Sequence, residues 1–496
     1  MLKDLFNTAK HTIIYSFGNL SIKLVGFILL PLYTTYLTTS DYGLLAIIEA
    51  VAQFSIAILG FRLSTAMLRW ATAEKNDDKQ KSIIFTALFS SMIILTPFII
   101  SFIVFANYLS EVIFSTSQFV TYIYLIAVFI AFEIYNLFLL DLLRLRDKSI
   151  FYVVIVLLKL TINLGLNIYF VAYMQIGVEG IMYSMVISSI VFSIMTLPFL
   201  LSQIIFKYDN KTAKEMFNYG FPLIFATISS MILTLADRFV IKHFYSLSEV
   251  GIYNLGYKLS SVINVVIIQS FQMGFLPIAF KKFDQPNAKE FFSKVLTYFT
   301  FILILAIISI SFYSKEIIIL LAKDTTYYEA YKIVPFISYT FLIKGVYYIF
   351  SLGLHFVKKT KYNSFIVLIG AIVNLILNFT IIPYYGIYGA AVASIISSII
   401  IMLLYYYYSQ REYRIEYELK RLFILTFSSL ILISSLYFIN EESFIISLIV
   451  KTIILISYPF LLFFMKFFTE SEMVKIRTII KYFPNISKIK SNITFD

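Results

Sequence analysis

Charged residues inside long apolar stretches are the first chemistry that the sequence offers. Lys23, Arg62, Arg238 and Lys258 each lie in a hydrophobic run. A charge at the centre of a membrane helix costs about 2.5–3.5 kcal/mol to insert, so we expect these side chains to face a cavity or a partner rather than lipid. Phosphate or pyrophosphate is the natural match for an arginine fork or a lysine point charge in such a cavity. The four cations are therefore predicted to bind an anion.

Carboxylates accompany these cations. Glu49 and Asp237 are predicted either to neutralise a neighbouring cation or to carry a coupling proton or sodium ion, as intramembrane carboxylates often do. Glu133 and Lys159 lie at similar depth in consecutive apolar runs, so we expect a structural ion pair between them. Lys344 has no obvious partner. The alternative for every one of these residues is that the charges pair only to fix helix packing.

Several other chemistries find no support in the sequence. There is no cysteine, so neither a disulfide framework nor thiol chemistry is expected. No GxxxxGK[ST] phosphate loop is present, and the three histidines are too dispersed for a zinc motif. We therefore expect no catalytic residue, metal or cofactor, and a protein that is not an enzyme. The net charge of +12 is attributed to membrane orientation and gives no indication of nucleic acid binding.

The elements that carry these charges are long apolar helices. The chain has 496 residues, of which 60% are hydrophobic and 14% charged, far from the mixture of a soluble domain. Runs of about 20 apolar residues match the length of a transmembrane helix, and they lack the alternation of barrel strands. The sequence predicts an all-α polytopic membrane protein with fourteen spans, at about 12–36, 43–68, 83–106, 118–140, 151–174, 178–206, 217–244, 250–276, 291–313, 330–354, 362–383, 386–408, 421–440 and 443–468.

The charges of the connecting segments predict the orientation. Nearly all loop cations fall in alternate connections, whereas the other set offers only Lys315, Lys323 and Lys332, all in one connection. By the positive-inside rule both termini are cytoplasmic. The first apolar stretch is too long for a signal-peptide core and is expected to be a permanent span. The predicted location is the bacterial cytoplasmic (inner) membrane.

The sequence also contains an internal repeat. Three patterns recur in the same order at offsets of 208, 211 and 209 residues: Ser40–Gly43 with Ser248–Gly251, Asn163/Asn167 with Asn374/Asn378, and Gly177–Gly180 with Gly386–Gly389. Six spans per half make the repeat parallel, as in transporters that rock two bundles about a central cavity. The predicted domains are an N-terminal lobe at 1–210, a C-terminal lobe at 211–410, and two further helices with a basic cytoplasmic tail at 411–496.

The stretch "NYGFPLIFATISSMILTLADRFVIKHFYSLSEVGIYNLGYKLS" from Asn218 and the stretch "GIYGAAVASIISS" from Gly386 are similar to a known family. Together with the two six-helix halves, they resemble the Wzx-like polysaccharide flippases of the multidrug/oligosaccharidyl-lipid/polysaccharide (MOP) exporter superfamily, related to the MurJ-like peptidoglycan-precursor flippases. The likeness covers residues 5 to 410. It implies a V-shaped transporter whose two lobes alternate access to a central cavity.

The resemblance also implies a substrate and its site. Wzx-like members move undecaprenyl-pyrophosphate-linked oligosaccharide from the cytoplasmic to the outer leaflet for O-antigen, capsule or exopolysaccharide assembly. MurJ-like relatives place cations in their first, second and eighth helices toward the pyrophosphate, and Lys23, Arg62 and Lys258 occupy those helices here. The implied partners are the lipid-linked substrate, membrane lipids and other proteins of polysaccharide assembly. The alternatives are a cation-coupled multidrug exporter of the same superfamily or a membrane polysaccharide polymerase.

Overall fold

The computed structural model describes residues 26–438, 444–470 and 472–474, and these residues form a bundle of long helices. The helices are α1 Leu30–Tyr36, α2 Thr39–Leu59, α3 Leu63–Ala73, α4 Asp77–Val104, α5 Ala106–Phe114, α6 Ser117–Leu145, α7 Ser149–Tyr173, α8 Gly177–Ser202, α9 Asn210–Phe244, α10 Leu247–Lys282, α11 Ala288–Leu321, α12 Thr325–Phe356, α13 Lys361–Glu412, α14 Leu419–Ser434 and α15 Phe444–Phe464.

Eleven of these helices are long and apolar enough to cross a membrane. α13 carries two of the predicted spans, because the chain turns at Gly386 (φ 53°, ψ −133°) between the runs at 362–383 and 386–408. α14 matches the predicted run at 421–440, and α1 is the described end of the first predicted span. The prediction of an all-α polytopic membrane protein with about fourteen spans is confirmed.

The predicted second span, 43–68, is wrong as a single helix. α2 ends at Leu59, and the chain bends before α3 begins at Leu63. Phe61 (φ 45°) and Arg62 (φ 52°) both adopt the left-handed conformation, which is uncommon for residues other than glycine. Hydropathy continues through this bend, so the apolar pattern alone could not show the break.

Each of the three sequence repeats has a matching local structure. The cap of α2 is Thr38, whose side chain accepts from Asp41 N, and the cap of α10 is Ser246, which accepts in the same way from Glu249 N. These caps are 208 residues apart, and each satisfies a free N–H of the first helical turn. The other two repeats also have matching structures. Gly177 and Gly386 both have a positive φ. The side chain of Asn167 donates to that of Asn163, and the side chain of Asn378 donates to that of Asn374.

The two halves of the repeat, α1 to α8 and α9 to α13, meet where α2 crosses α10. A Cβ built on Gly43 would lie 1.8 Å from Leu247 O, and one built on Gly251 would lie 2.0 Å from Thr39 O. Only glycine permits so close an approach of two backbones. The contact is reciprocal, which places equivalent residues of the two halves on either side of a pseudo-twofold axis. This crossing holds the candidate site together at its predicted outer end.

Candidate functional site

Polar contacts between the two halves follow α2 and α3 from one end of the bundle to the other. At the predicted outer end, Thr39 Oγ1 lies 2.7 Å from Ser248 Oγ. At the predicted cytoplasmic end, Trp70 Nε1 donates to Glu215 Oε2 at 3.1 Å. Two of the sequence-predicted cations, Lys258 and Arg62, lie between these two contacts. We call this line of contacts between the halves the α2 interface.

Lys258 and Glu49 form an ion pair across the α2 interface. Lys258 Nζ lies 3.4 Å from Glu49 Oε2, and the two side chains remain 18% and 29% exposed. The ammonium group also stands 5.2 Å from the centre of the Tyr42 ring. One turn farther along, α10 widens into a π-helix at Ile263–Ile268, a distortion that is frequent at functional sites. Lys258 is thus held between the halves by a contact that a competing anion could reach.

Arg62 lies in the bend between α2 and α3. Its Nε and Nη2 donate to Thr227 Oγ1 of α9 at 3.1 and 2.8 Å, and the side chain is exposed. Among the described residues, Nη1 donates no hydrogen bond and no acid pairs with the guanidinium. Phe61 anchors the bend by stacking on Phe217 at 4.9 Å between ring centres. The strained backbone therefore presents an arginine whose donors are partly free, which is typical of a binding group.

Arg238 has a different environment, and the expectation that it contacts an anionic ligand is not supported by this geometry. Its side chain is 4% exposed and lies 3.6 Å from Asp237 Oδ1. Nε and Nη2 donate to Asn254 Oδ1, and Nη1 donates to Thr234 O. Tyr253 donates to the other oxygen of Asp237. Both charges are enclosed between α9 and α10, so neither is free to bind an external ion in this conformation.

The structure brings Glu133 and Lys159 together within the first half. Lys159 Nζ lies 2.6 Å from Glu133 Oε2, which also accepts from Ser189 Oγ at 3.0 Å. Three helices, α6, α7 and α8, meet at this carboxylate, as expected of a pair that fixes helix packing. Lys23 lies outside the described residues.

The sequence reasoning missed the partner of Lys258 although a signal was present. Glu49 and Lys258 are 209 residues apart, as are Thr39 and Ser248, within one residue of the 208-residue offset between α2 and α10. α2 and α10 are equivalent helices that cross near the repeat axis, so residues separated by close to this offset lie next to each other. Lys451 forms a buried ion pair with Glu316 that fastens α15 to α11.

An apolar groove lies between the second half and the two appended helices. Its volume is about 1040 Å³, and it is bordered by α11, α12, α13 and α14, with Ser447 and Lys451 of α15 at one end. Leu342, Val346, Ile399 and Leu430 are among its apolar lining residues. Along α14 the lining runs from Leu419 to Ser434, about 22 Å of helix. A groove of this length and character suits a hydrocarbon chain.

These arrangements can bind and move an anion that carries an apolar chain. The α2 interface supplies an exposed guanidinium and a partly exposed ammonium, both of which can form charge-assisted hydrogen bonds with an anion. The described residues include no group of three or more His, Asp or Glu side chains that could hold a metal ion. The site therefore has the features of a transport pathway.

Comparison with known proteins gives the same fold. The lipid II flippase MurJ in an inward closed conformation matches 90% of this chain and 98% of its own, with 16% identity and a TM-score of 0.70. An inward-facing multidrug resistance MATE family transporter of the MOP superfamily matches 82% and 95%, with 12% identity and a TM-score of 0.66. A MATE protein in complex with MaD3S reaches a TM-score of 0.57 at 13% identity, over 84% and 96%. No curated protein sequence matches the chain.

Family models extend the comparison to sequence. The model described as MatE matches residues 222–380. The model described as polysaccharide biosynthesis protein matches residues 8–283, more than half of the chain. With its many apolar spans, the protein is a multi-pass membrane protein. The chain belongs to the polysaccharide biosynthesis protein family.

Proposed function

We propose that the protein is a flippase that moves undecaprenyl-pyrophosphate-linked oligosaccharide from the cytoplasmic to the outer leaflet of the bacterial cytoplasmic membrane. The transported units serve O-antigen, capsule or exopolysaccharide assembly. Both termini are cytoplasmic in this proposal, and the two halves of the repeat alternate access to the α2 interface. The observation that carries the proposal is the placement of Arg62 and Lys258 between the halves, where a pyrophosphate that moves between the leaflets can contact each in turn.

The residues have distinct roles in this proposal. Arg62 offers its free N–H donors to the pyrophosphate from the cytoplasmic side, and Lys258 offers its ammonium in the outer half of the membrane. Lys23, from the first span, contributes a third cation. Glu49 holds Lys258 until an anionic substrate competes for it, so that binding breaks an ion pair between the halves. Asp237, Arg238, Glu133 and Lys159 maintain the packing of each half.

The groove beside the second half supports a substrate with a lipid chain. Because most of its lining along α12 and α14 is apolar, it can hold a polyprenyl chain while the polar head occupies the α2 interface. A water-soluble drug has no need of such a groove. Export of drugs by cation coupling is less favoured for a second reason. The two candidate coupling carboxylates, Glu49 and Asp237, are each paired with a cation.

The leaflet distribution of undecaprenyl-linked oligosaccharide in cells with and without the protein tests the proposal. We expect complete, unpolymerised repeat units to accumulate on the cytoplasmic leaflet in its absence. A cell that carries only Arg62→Gln should show the same accumulation at normal protein levels. Normal display on the outer leaflet in the absence of the protein would contradict the proposal.

A further inference from the structure

Lys344 is a cation in the middle of a span and has no polar partner among the described residues. It lies ten residues from Val334 and twelve from Phe356, the ends of the α-helical part of α12. Its nearest aromatic contact is the Phe341 ring, whose centre is 6.0 Å from Nζ. The other intramembrane cations that the structure describes all have polar partners: Arg62 with Thr227, Lys159 with Glu133, Arg238 with Asp237, Lys242 with Ser115, Lys258 with Glu49 and Lys451 with Glu316.

The side chain of Lys344 points into the second half of the repeat. Phe341 contacts the Tyr257 ring of α10 at 5.8 Å, and Tyr347 stacks on Tyr405 of α13 at 5.5 Å between ring centres. At about 100° per residue, Lys344 lies midway between the directions of Phe341 and Tyr347. No large apolar side chain of α12 is exposed, yet Lys344 is only partly buried. It therefore faces an interior space between α10 and α13 rather than lipid.

Two hydroxyl groups share this face of α12. Thr340 and Tyr348 lie four residues before and after Lys344, so all three side chains form one stripe. The Thr340 Oγ1 and Tyr348 OH atoms are buried and have no hydrogen-bond partner in the described structure. An unsatisfied buried hydroxyl costs about 1–3 kcal/mol, and an intramembrane charge costs more. Packing does not explain three such groups on one face, whereas a bound polar ligand would form hydrogen bonds with all of them.

The residues around Lys344 indicate the chemistry of that ligand. The Arg238 guanidinium lies 4.5 Å from the centre of the Tyr257 ring and is paired with Asp237, so Lys344 adds a positive charge that no described acid balances. The ligand should therefore be an anion. A pyrophosphate already has Arg62 and Lys258 at the α2 interface, on other helices.

We propose that Lys344, Thr340 and Tyr348 bind an anionic substituent on the glycan of the lipid-linked substrate. The inference rests on the proposed function and specifies its substrate class as an acidic oligosaccharide. A carboxylate or a phosphate on a sugar would accept a charge-assisted hydrogen bond from the Lys344 ammonium and hydrogen bonds from the two hydroxyls. Lys344 is then a residue that determines substrate specificity.

The test uses the purified full-length protein in proteoliposomes and three probes that share an undecaprenyl pyrophosphate. Their trisaccharides end in glucuronic acid, in glucose 6-phosphate or in glucose. For Lys344→Met we expect flipping of the acidic probe that suits the site to fall about tenfold or more, with flipping of the neutral probe unchanged. Lys344→Arg should keep the preference for the acidic probe. Comparison of the carboxylate and phosphate probes identifies which anion the wild type prefers.

Thermal unfolding provides the second readout. Lys344→Met removes an unpaired charge, so we expect its Tm to rise above that of the wild type. Methyl glucuronide or glucose 6-phosphate should raise the Tm of the wild type but not that of Lys344→Met. Lys242→Met, which alters a cation near a helix end, serves as the matched control and should change neither flipping nor ligand response. Equal loss of the acidic and neutral probes, or no loss of either, would overturn the inference. A wild type that flips none of the three probes would instead overturn the proposed function.

Discussion

At the scale of single residues, two arginines have opposite environments. Arg62 is exposed at a strained bend and bonds to one threonine hydroxyl. Arg238 is buried, pairs with Asp237 and donates to Asn254 and Thr234. Burial makes the loss of one partner costly, since the remaining charge stays desolvated and unpaired. Stability measurements should therefore separate a binding arginine from a packing arginine.

We predict that Arg238→Met lowers the free energy of unfolding by about 3 kcal/mol, because it leaves the Asp237 carboxylate buried without its cation. The double variant Asp237→Asn/Arg238→Met should recover most of that loss. Arg62→Gln should leave the stability near that of the wild type but abolish flipping. Thermal unfolding in detergent, with flipping in proteoliposomes, measures both effects. If Arg238→Met is as stable as the wild type but does not flip the substrate, Arg238 binds the substrate and this prediction is wrong.

At the scale of helices, the crossing of α2 and α10 depends on two glycines. Each lies against the backbone of the other half, so a side chain at either position would push the helices apart. The N-terminal caps of both helices, Thr38 and Ser246, fix where each helix starts and thereby bring the glycines into register. We call this crossing the seal of the predicted outer end. It is formed by contact between two backbones rather than between side chains.

We predict that Gly43→Ala opens this seal, because its new Cβ would lie 1.8 Å from Leu247 O. The chain contains no cysteine, so Ser248→Cys introduces a single reporter next to the crossing. Maleimide labelling of that cysteine from the outside should be faster in the Gly43→Ala background than without it. Gly165→Ala is the matched control, since a Cβ there meets nothing within 4 Å. Equal labelling rates in all backgrounds would show that the crossing is not a seal.

At the scale of the whole molecule, the two halves touch at both ends of the α2 interface. Thr39 and Ser248 meet at the predicted outer end, and Trp70 and Glu215 meet at the predicted cytoplasmic end. Transport by alternating access requires these ends to separate in turn. Among the described residues, the polar contacts between the halves are hydrogen bonds of small groups and the partly exposed pair of Lys258 with Glu49, which can be exchanged at low cost.

We predict that a disulfide between Thr39→Cys and Ser248→Cys stops flipping. The two hydroxyl oxygens are 2.7 Å apart, so the cysteines lie within reach of a bond. Flipping in proteoliposomes should be lost on oxidation and restored by reductant, while each single-cysteine variant should flip under both conditions. If the oxidised double variant retains full flipping, the outer end of the α2 interface need not open for transport.

The sequence by itself determined the class of the protein, its spans and its internal repeat. These properties depend on how each segment partitions between water and lipid, and on backbone requirements such as the glycines Gly177 and Gly386, all of which are local. Even the pair of Glu133 with Lys159 could be predicted, because both lie at similar depth in consecutive helices. The bend at Phe61 and Arg62 could not, since hydropathy does not change there.

Only the tertiary structure decided which charges are free. Lys258 pairs with Glu49 rather than Asp237, and Arg238 is enclosed, because the rotation of each helix about its own axis selects which neighbour a side chain meets. That rotation is set by packing between residues far apart in the sequence, such as Gly43 against Gly251 and Phe61 against Phe217. The isolation of Lys344 has the same origin. Depth in the membrane is encoded along one helix, whereas a partner is defined only when several helices pack together.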